Sequence, residues 1–162
     1  MTKVLEMQRL LRKYREETGE HEADMRKVAE YAHKFGWPLP QPKDPLDLLA
    51  RQFTDAARQE IRYDKKTKRP YRANHAVPTG QKNGNNLFGW VDIDDEHTTT
   101  AQMRKSFVNR REQMVDDGLQ LSLDWDHWND NHPEAEPINL PMDFTLDIEW
   151  RKASLDDIDD AA

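Results

Sequence analysis

Phe107, Met114, Leu121 and Trp128 recur every seven residues, with Val108, Val115 and Trp125 beside them. A seam of that period suits an α-helix and not a β-strand, whose side chains alternate every second residue. Thr99 and Gln102 stand at capping-box spacing and mark the start of this helix. Asp94, Asp95 and Glu96 lie just upstream, where the positive end of the helix dipole favours them. Unbroken from Thr99 to Asn131, the helix would be about 50 Å long at 1.5 Å per residue. Gly118 lies inside it and costs about 1 kcal/mol against alanine, so a kink or break there is the alternative.

Three shorter helices are predicted upstream. KVLEMQRLLRKYREETG places Val4, Met7, Leu11 and Tyr14 at helical spacing, and Gly19 stops it. ADMRKVAEYAHKFGW repeats the pattern with Met25, Val28, Ala32 and Phe35, between Asp24 as cap and Gly36 as stop. PLPQPK is a stiff connector, after which Asp44 and Pro45 open a third helix with Leu46, Leu49, Phe53 and Ala57 on its apolar face. EIRYDKKTKRPYRANHAV then alternates at both ends around the polar turn Asp64 to Arg69, a β-hairpin with a basic tip. PTGQKNGNN, residues 78–86, reads as a flexible loop or a second turn, and LFGWVDI as a further short strand.

Past the long helix, Pro133, Pro137 and Pro141 interrupt regular structure. INLPMDFTLDIEWRKASLDDIDDAA alternates apolar and acidic residues and reads as an edge strand or a docking segment, its last residues LDDIDDAA disordered unless bound. The predicted fold class is mainly α with a small β element (α+β). A winged-helix-like three-helix module with a basic hairpin occupies residues 1–90, the long helix 91–132, and a proline-bounded, extended acidic tail 133–162.

Charge is unevenly spread. Net charge is −7, yet residues 58–90 carry eight basic and two acidic side chains, and residues 91–162 six basic and nineteen acidic. A basic middle attracts phosphates and an acidic end repels them. Cysteine is absent, which excludes disulfides, thiolate metal sites and a cysteine nucleophile. No apolar run approaches the roughly 20 residues of a membrane span, and Met1-Thr2-Lys3 is not followed by the apolar core of a signal peptide. A cytoplasmic protein without membrane attachment is expected.

DWDHWNDNHP, residues 124–133, most resembles a chemical site. It fails as a calcium loop, with Trp128 and Asn129 where an oxygen ligand and glycine belong. His127 and His132 diverge on a helix, at five residues apart. Asp124, His127 and Asn131 share one helical face and are the candidate metal ligands, against a polar helix face with the tryptophans packed inward. DIDDEH, residues 92–97, reads first as acids flanking a helix start and only third, behind the two binding readings below, as part of a metal-dependent hydrolase. No nucleotide-binding glycine loop, nucleophile elbow or zinc-protease motif occurs. No catalytic residue and no cofactor are therefore expected.

The helices followed by a basic hairpin suggest duplex DNA as a partner. Arg51, Arg58 and Arg62 would project from or just beyond the third helix, and Lys65, Lys66, Lys68, Arg69 and Arg72 would reach phosphates or a minor groove. The alternative is a solvated hairpin edge protected by its lysines. The long helix would pair with itself or another protein, and the tail would anchor a partner through Phe144, Leu146, Ile148 and Trp150. The function expected is a non-enzymatic DNA-binding or adaptor protein of regulatory type. A protein-interaction subunit without nucleic acid, as in a toxin-neutralising or phage-defence complex, is the second reading. AEYAHKFGW, YDKKTKRPYRANHAV, RREQMVDDG and the proline-bounded acidic end resemble those of a group of uncharacterised bacterial proteins. That resemblance implies a bacterial, cytoplasmic setting and assigns no activity.

Overall fold

The computed structural model of the chain describes residues 2–41 and 44–159. Its elements are α1 (Lys3–Thr18), α2 (Met25–Lys34), α3 (Pro45–Gln59), β1 (Ile61–Tyr63), β2 (Pro70–Arg72), β3 (Asn74–Lys82), β4 (Asn85–Asp92), α4 (Thr100–Asn131) and α5 (Thr145–Asp159). The fold is mainly α with a small β component, as expected. The chain divides into two compact units, residues 1–48 and 49–162, and α3 crosses from one into the other.

In the first unit α1 and α2 form a helical pair. Thr2 caps α1, and Gly19 ends it in the left-handed conformation (φ 71°), its N–H donating to the Arg15 carbonyl. Asp24 caps α2. The pair's buried centre is aromatic, with Leu10, Leu11, Val28 and Ala32 half-buried around it. Tyr14 is buried and meets Tyr31 edge-on at 5.5 Å, and Tyr31 lies 4.8 Å from Phe35. The Tyr14 hydroxyl donates to Glu20, which also holds Lys27 at 3.0 Å, and the Tyr31 hydroxyl donates to Glu17. Loss of water around Tyr31, followed by its bond to Glu17, pushes its pKa up to about 12.

The second unit contains two antiparallel hairpins. β1 and β2 pair with Arg62 opposite Tyr71, around the predicted polar turn. Asp64 ties that turn down, its carboxylate accepting from the backbone N–H groups of Lys66 and Thr67 at 2.9 and 2.8 Å. Of the two readings of residues 78–86, the turn is the one found, and not the flexible loop. β3 and β4 pair from Asn74–Asp92 to Lys82–Asn85, leaving the two-residue turn Asn83-Gly84 with φ 53° and 77°. Positive φ at both central residues is the geometry of a type I′ turn, which asparagine and glycine favour. Pro78, which lacks an N–H for the ladder, sits beside a bulge where the register shifts before Gly80.

Ala73 joins the hairpins and is fully buried. Its N–H donates to the Glu60 carbonyl at 3.0 Å and its carbonyl accepts from Ile93 at 2.8 Å. α4 packs against β3 through its first turns. Ser106 is fully buried there, Val77 is buried, and the Phe107 ring meets His75 edge-on at 5.6 Å. His75 is itself buried, and its Nε2 lies 2.8 Å from the Arg72 carbonyl. Because that oxygen can only accept, Nε2 carries the proton.

α4 runs unbroken through Gly118, and both halves of the expected capping box are present. Residues 138–144 return along it as a strap. The Asn129 side chain donates to the Ile138 carbonyl at 2.8 Å and accepts from the Ile138 N–H at 2.9 Å, which satisfies both groups of an otherwise unpaired backbone. The Met142 side chain lies over Gly118.

Two expectations need correction. The tail is not extended throughout, because residues 145–159 form α5, with the Thr145 N–H bonded to the Asp143 carboxylate at its start. Alternating apolar and acidic residues misled here because TLDIEWRKASL also has good helix formers, and among the described residues no strand is left to pair with it in an extended form. Of the end expected to be disordered, Leu155–Asp159 belong to α5 and residues 160–162 lie outside the described ones. The apolar face of α3 is largely open to solvent, with Leu46, Leu49 and Phe53 exposed, Phe53 to 69%, and Ala57 half-buried.

Candidate interaction surfaces

The predicted nucleic-acid residues separate into bound and free cations. Arg62 on β1 is fully engaged. Its guanidinium donates to Asp92 at 2.8 Å through both terminal nitrogens, to Asp94 at 2.8 Å and to Glu60 at 2.9 Å. Asp94 also accepts from the Tyr71 hydroxyl at 2.8 Å. Hydrogen bonds from Arg62 hold Asp92 and Asp94 below the usual carboxylate range. Glu60 is held low first by Asn74 and then by Arg62, while its bonds to Asp92, Asp94 and Glu60 push Arg62 up. Two of the four acids of DIDDEH, Asp92 and Asp94, thus neutralise an arginine and tie β1 to the end of β4.

Arg69 is engaged as well. It forms a bidentate pair with Asp156 of α5, at 2.9 and 2.7 Å. That pair raises the arginine and lowers the carboxylate. It brings the acidic C-terminal helix onto the tip of the basic hairpin, two segments that the opposed charge blocks alone would attract. Lys65, Lys66 and Lys68 at the same tip are exposed and in no ion pair among the described residues. Arg51 is exposed on α3. Arg58 is within 3.6 Å of Asp55 and lies 5.7 Å from the Trp90 ring centre. Arg72 ends β2, beside Arg58 and not with the lysines.

The candidate metal face does not converge on an ion. Gln120 donates to Asp124 at 2.9 Å, and the Asn131 amide donates to the His127 carbonyl at 2.7 Å. Among the described residues no group of three or more acids, histidines or cysteines is placed to hold a metal. His132 instead stacks on Trp128 at 3.7 Å and bonds to its carbonyl, which closes the helix end.

The apolar surface is more extensive than the sevenfold seam suggested. At 100° per residue, Val108, Val115, Leu119 and Leu123 occupy one flank of α4, and Phe107, Met114, Leu121 and Trp128 the other. The strap lies between the flanks, with Gly118, Ser122, Trp125 and Asn129 half-buried along its course. Grooves of about 450 and 460 Å³ flank Met142 and Phe144 on α4, one bordered by Val115 and Leu119, the other by Leu121. Leu119 is 57% exposed. The four predicted tail anchors are exposed too. Phe144 precedes α5, and Leu146, Ile148 and Trp150 lie on it, Trp150 at 68%.

Sequence reasoning missed Leu119 and Leu123, because they fall outside the sevenfold repeat. It also missed Trp90 and Arg110, which only the packing of the hairpin against α4 brings near Arg58 and Arg72. No family model, curated protein or solved structure matches the chain. No helix among the described residues is long and apolar enough to cross a membrane.

Proposed function

We propose that the protein is a non-enzymatic interaction subunit, an adaptor that binds a protein partner through α4, its strap and α5. One observation carries this reading: both flanks of α4 beside the strap, and the tail anchors after it, present large apolar side chains to solvent. Isolated monomers rarely expose contiguous apolar patches beyond a few hundred Å². Covering such a patch gains about 25 cal/mol per Å². A helix with apolar residues on two flanks suits side-by-side packing with other helices.

A second copy of the chain is the first partner to test, by sedimentation velocity across a concentration series. The reading expects association that is insensitive to salt. Leu119→Asp with Leu123→Asp should give a monomer with unchanged helix content. If the wild type stays monomeric at every concentration and binds no apolar dye, the exposed face is not a docking surface and the reading fails.

Lys65, Lys66 and Lys68 support a second reading, contact with duplex DNA. These three cations gather on a turn that can approach a phosphate backbone. Three phosphate contacts give a slope of about −3 for log affinity against log salt. Binding of labelled duplex should weaken with salt and in a triple alanine variant of these lysines. Asp156→Asn, which frees Arg69, should strengthen it. Absence of binding at low salt refutes the DNA reading and leaves the protein-interaction reading standing.

A further inference from the structure

The second unit contains a cleft of about 550 Å³, between the end of α3, the β3–β4 hairpin and the third turn of α4. Arg58, Arg72 and Arg110 line it, and no aspartate or glutamate does. Arg72 and Arg110 are in no ion pair among the described residues, and Arg58 has only the exposed Asp55 at 3.6 Å, outside the cleft lining, whereas Arg62 and Arg69 are held by carboxylates at 2.7 to 2.9 Å. Three guanidinium groups around one concavity repel one another, and field lines concentrate in such a cleft. A multiply charged anion would relieve that repulsion. Guanidinium groups also match phosphate oxygens in bidentate geometry.

The remaining lining narrows the ligand further. Trp90 and Phe88 lie on the same face of β4, two residues apart, and both are part-exposed. Arg58 already sits over Trp90, so cation and ring face adjoin. Aromatic faces beside arginines accept planar bases by stacking. Asn109 and Gln113 of α4, one turn apart, add side-chain amides that can both donate and accept, as the edge of a base requires. His75, which also lines the cleft, is held through the Arg72 carbonyl and the Phe107 ring and gives that side a fixed wall. The volume falls within the range usual for small-ligand sites.

We infer that this cleft binds a nucleoside phosphate, its phosphates on Arg58, Arg72 and Arg110 and its base against Trp90 and Phe88. The nucleotide is either free or part of a single strand, the two sources sharing this chemistry. This site is separate from the three lysines at the hairpin tip and does not depend on the apolar docking surface.

Isothermal titration of the full chain tests the inference with adenosine triphosphate, inorganic triphosphate and a short oligothymidylate, at low salt. Adenosine triphosphate should bind saturably, and inorganic triphosphate about tenfold more weakly, because it cannot stack. Arg72→Gln and Arg110→Gln should each weaken adenosine triphosphate about tenfold. Arg104→Gln, on α4 but outside the cleft, should not. Circular dichroism checks that each variant keeps its helix content. Oligothymidylate that competes and binds tighter assigns the site to a strand, and one that binds more weakly assigns it to a free nucleotide. The inference is overturned if neither adenosine triphosphate nor oligothymidylate binds the wild type, if Arg72→Gln and Arg110→Gln bind like the wild type, or if inorganic triphosphate binds as tightly as the nucleotide.

Discussion

Gly118→Ala should stabilise the protein, although Gly118 looks from the sequence like the place where the long helix gives way. The residue lies in the interior of α4, and its φ is not among the positive ones. Alanine gains about 1 kcal/mol over glycine at such a position, mainly because the unfolded chain has less freedom to lose. The space is available. A Cβ at residue 118 would meet Met142 Cε at 3.8 Å and Sδ at 3.9 Å, ordinary van der Waals contact with a flexible side chain. The strap therefore takes nothing back from the gain. A change of 1 kcal/mol corresponds to a rise of about 4 °C in melting temperature for a unit of this size. Urea denaturation followed by far-ultraviolet circular dichroism measures it, with the midpoint rising and the slope unchanged. The gain should persist in a Met142→Ala background, because it is local to the helix. Gly118→Pro should cost about 3 kcal/mol or more. A midpoint that falls in Gly118→Ala would refute both the straight helix and the strap lying over it.

Gly84→Ala should destabilise the β3–β4 hairpin by about 1 kcal/mol, the cost of a left-handed conformation without glycine, since its Cβ would meet nothing within 4 Å. Gly84→Asn should cost less, and thermal melting of the pair checks both. Asn129→Ala should release the strap at a cost of about 1 kcal/mol, read as faster hydrogen exchange of the Ile138 amide. Acid should loosen the hairpins. Asp92, Asp94 and Asp156 titrate below their ordinary value of 3.8, and Glu60 below 4.5. Their contribution is present in full above those ordinary values and is lost as pH falls through the lower folded-state values. Melting temperature should therefore drop below about pH 4, and Arg62→Met should flatten the drop. A parallel pH dependence in that variant would remove Arg62 as its source.

Local chemistry explains why much of this chain was legible. Thr99 with Gln102, Asp24, Asp44 and Gly19 each act within four residues of themselves, so caps and stops can be read without knowing the fold. Asp64 and the tip of the first hairpin are equally local. The Asn83-Gly84 turn is just as local a signal, yet it is only one of two readings of residues 78–86, open beside a flexible loop because the polar run around it hides the flanking strands. β3 and β4 contain Pro78, Gly80 and Gly89, which weaken a strand pattern. The ladder survives there because a bulge absorbs the irregularity.

The sequence by itself determined the first four helices, the first hairpin and the opposed charge blocks, since these follow from propensity, period and count. The tertiary structure decided which charges are free. Arg62 and Arg69 are held mainly through Asp92, Asp94 and Asp156, carboxylates 30 to 87 residues away, while Lys65 and Lys66 meet no such partner among the described residues. The arginine cleft likewise exists only because β3 packs on α4 and brings Arg110 beside Arg58 and Arg72. Electrostatic interaction depends on distance in space, and a pattern along the chain has no access to distances that the fold sets.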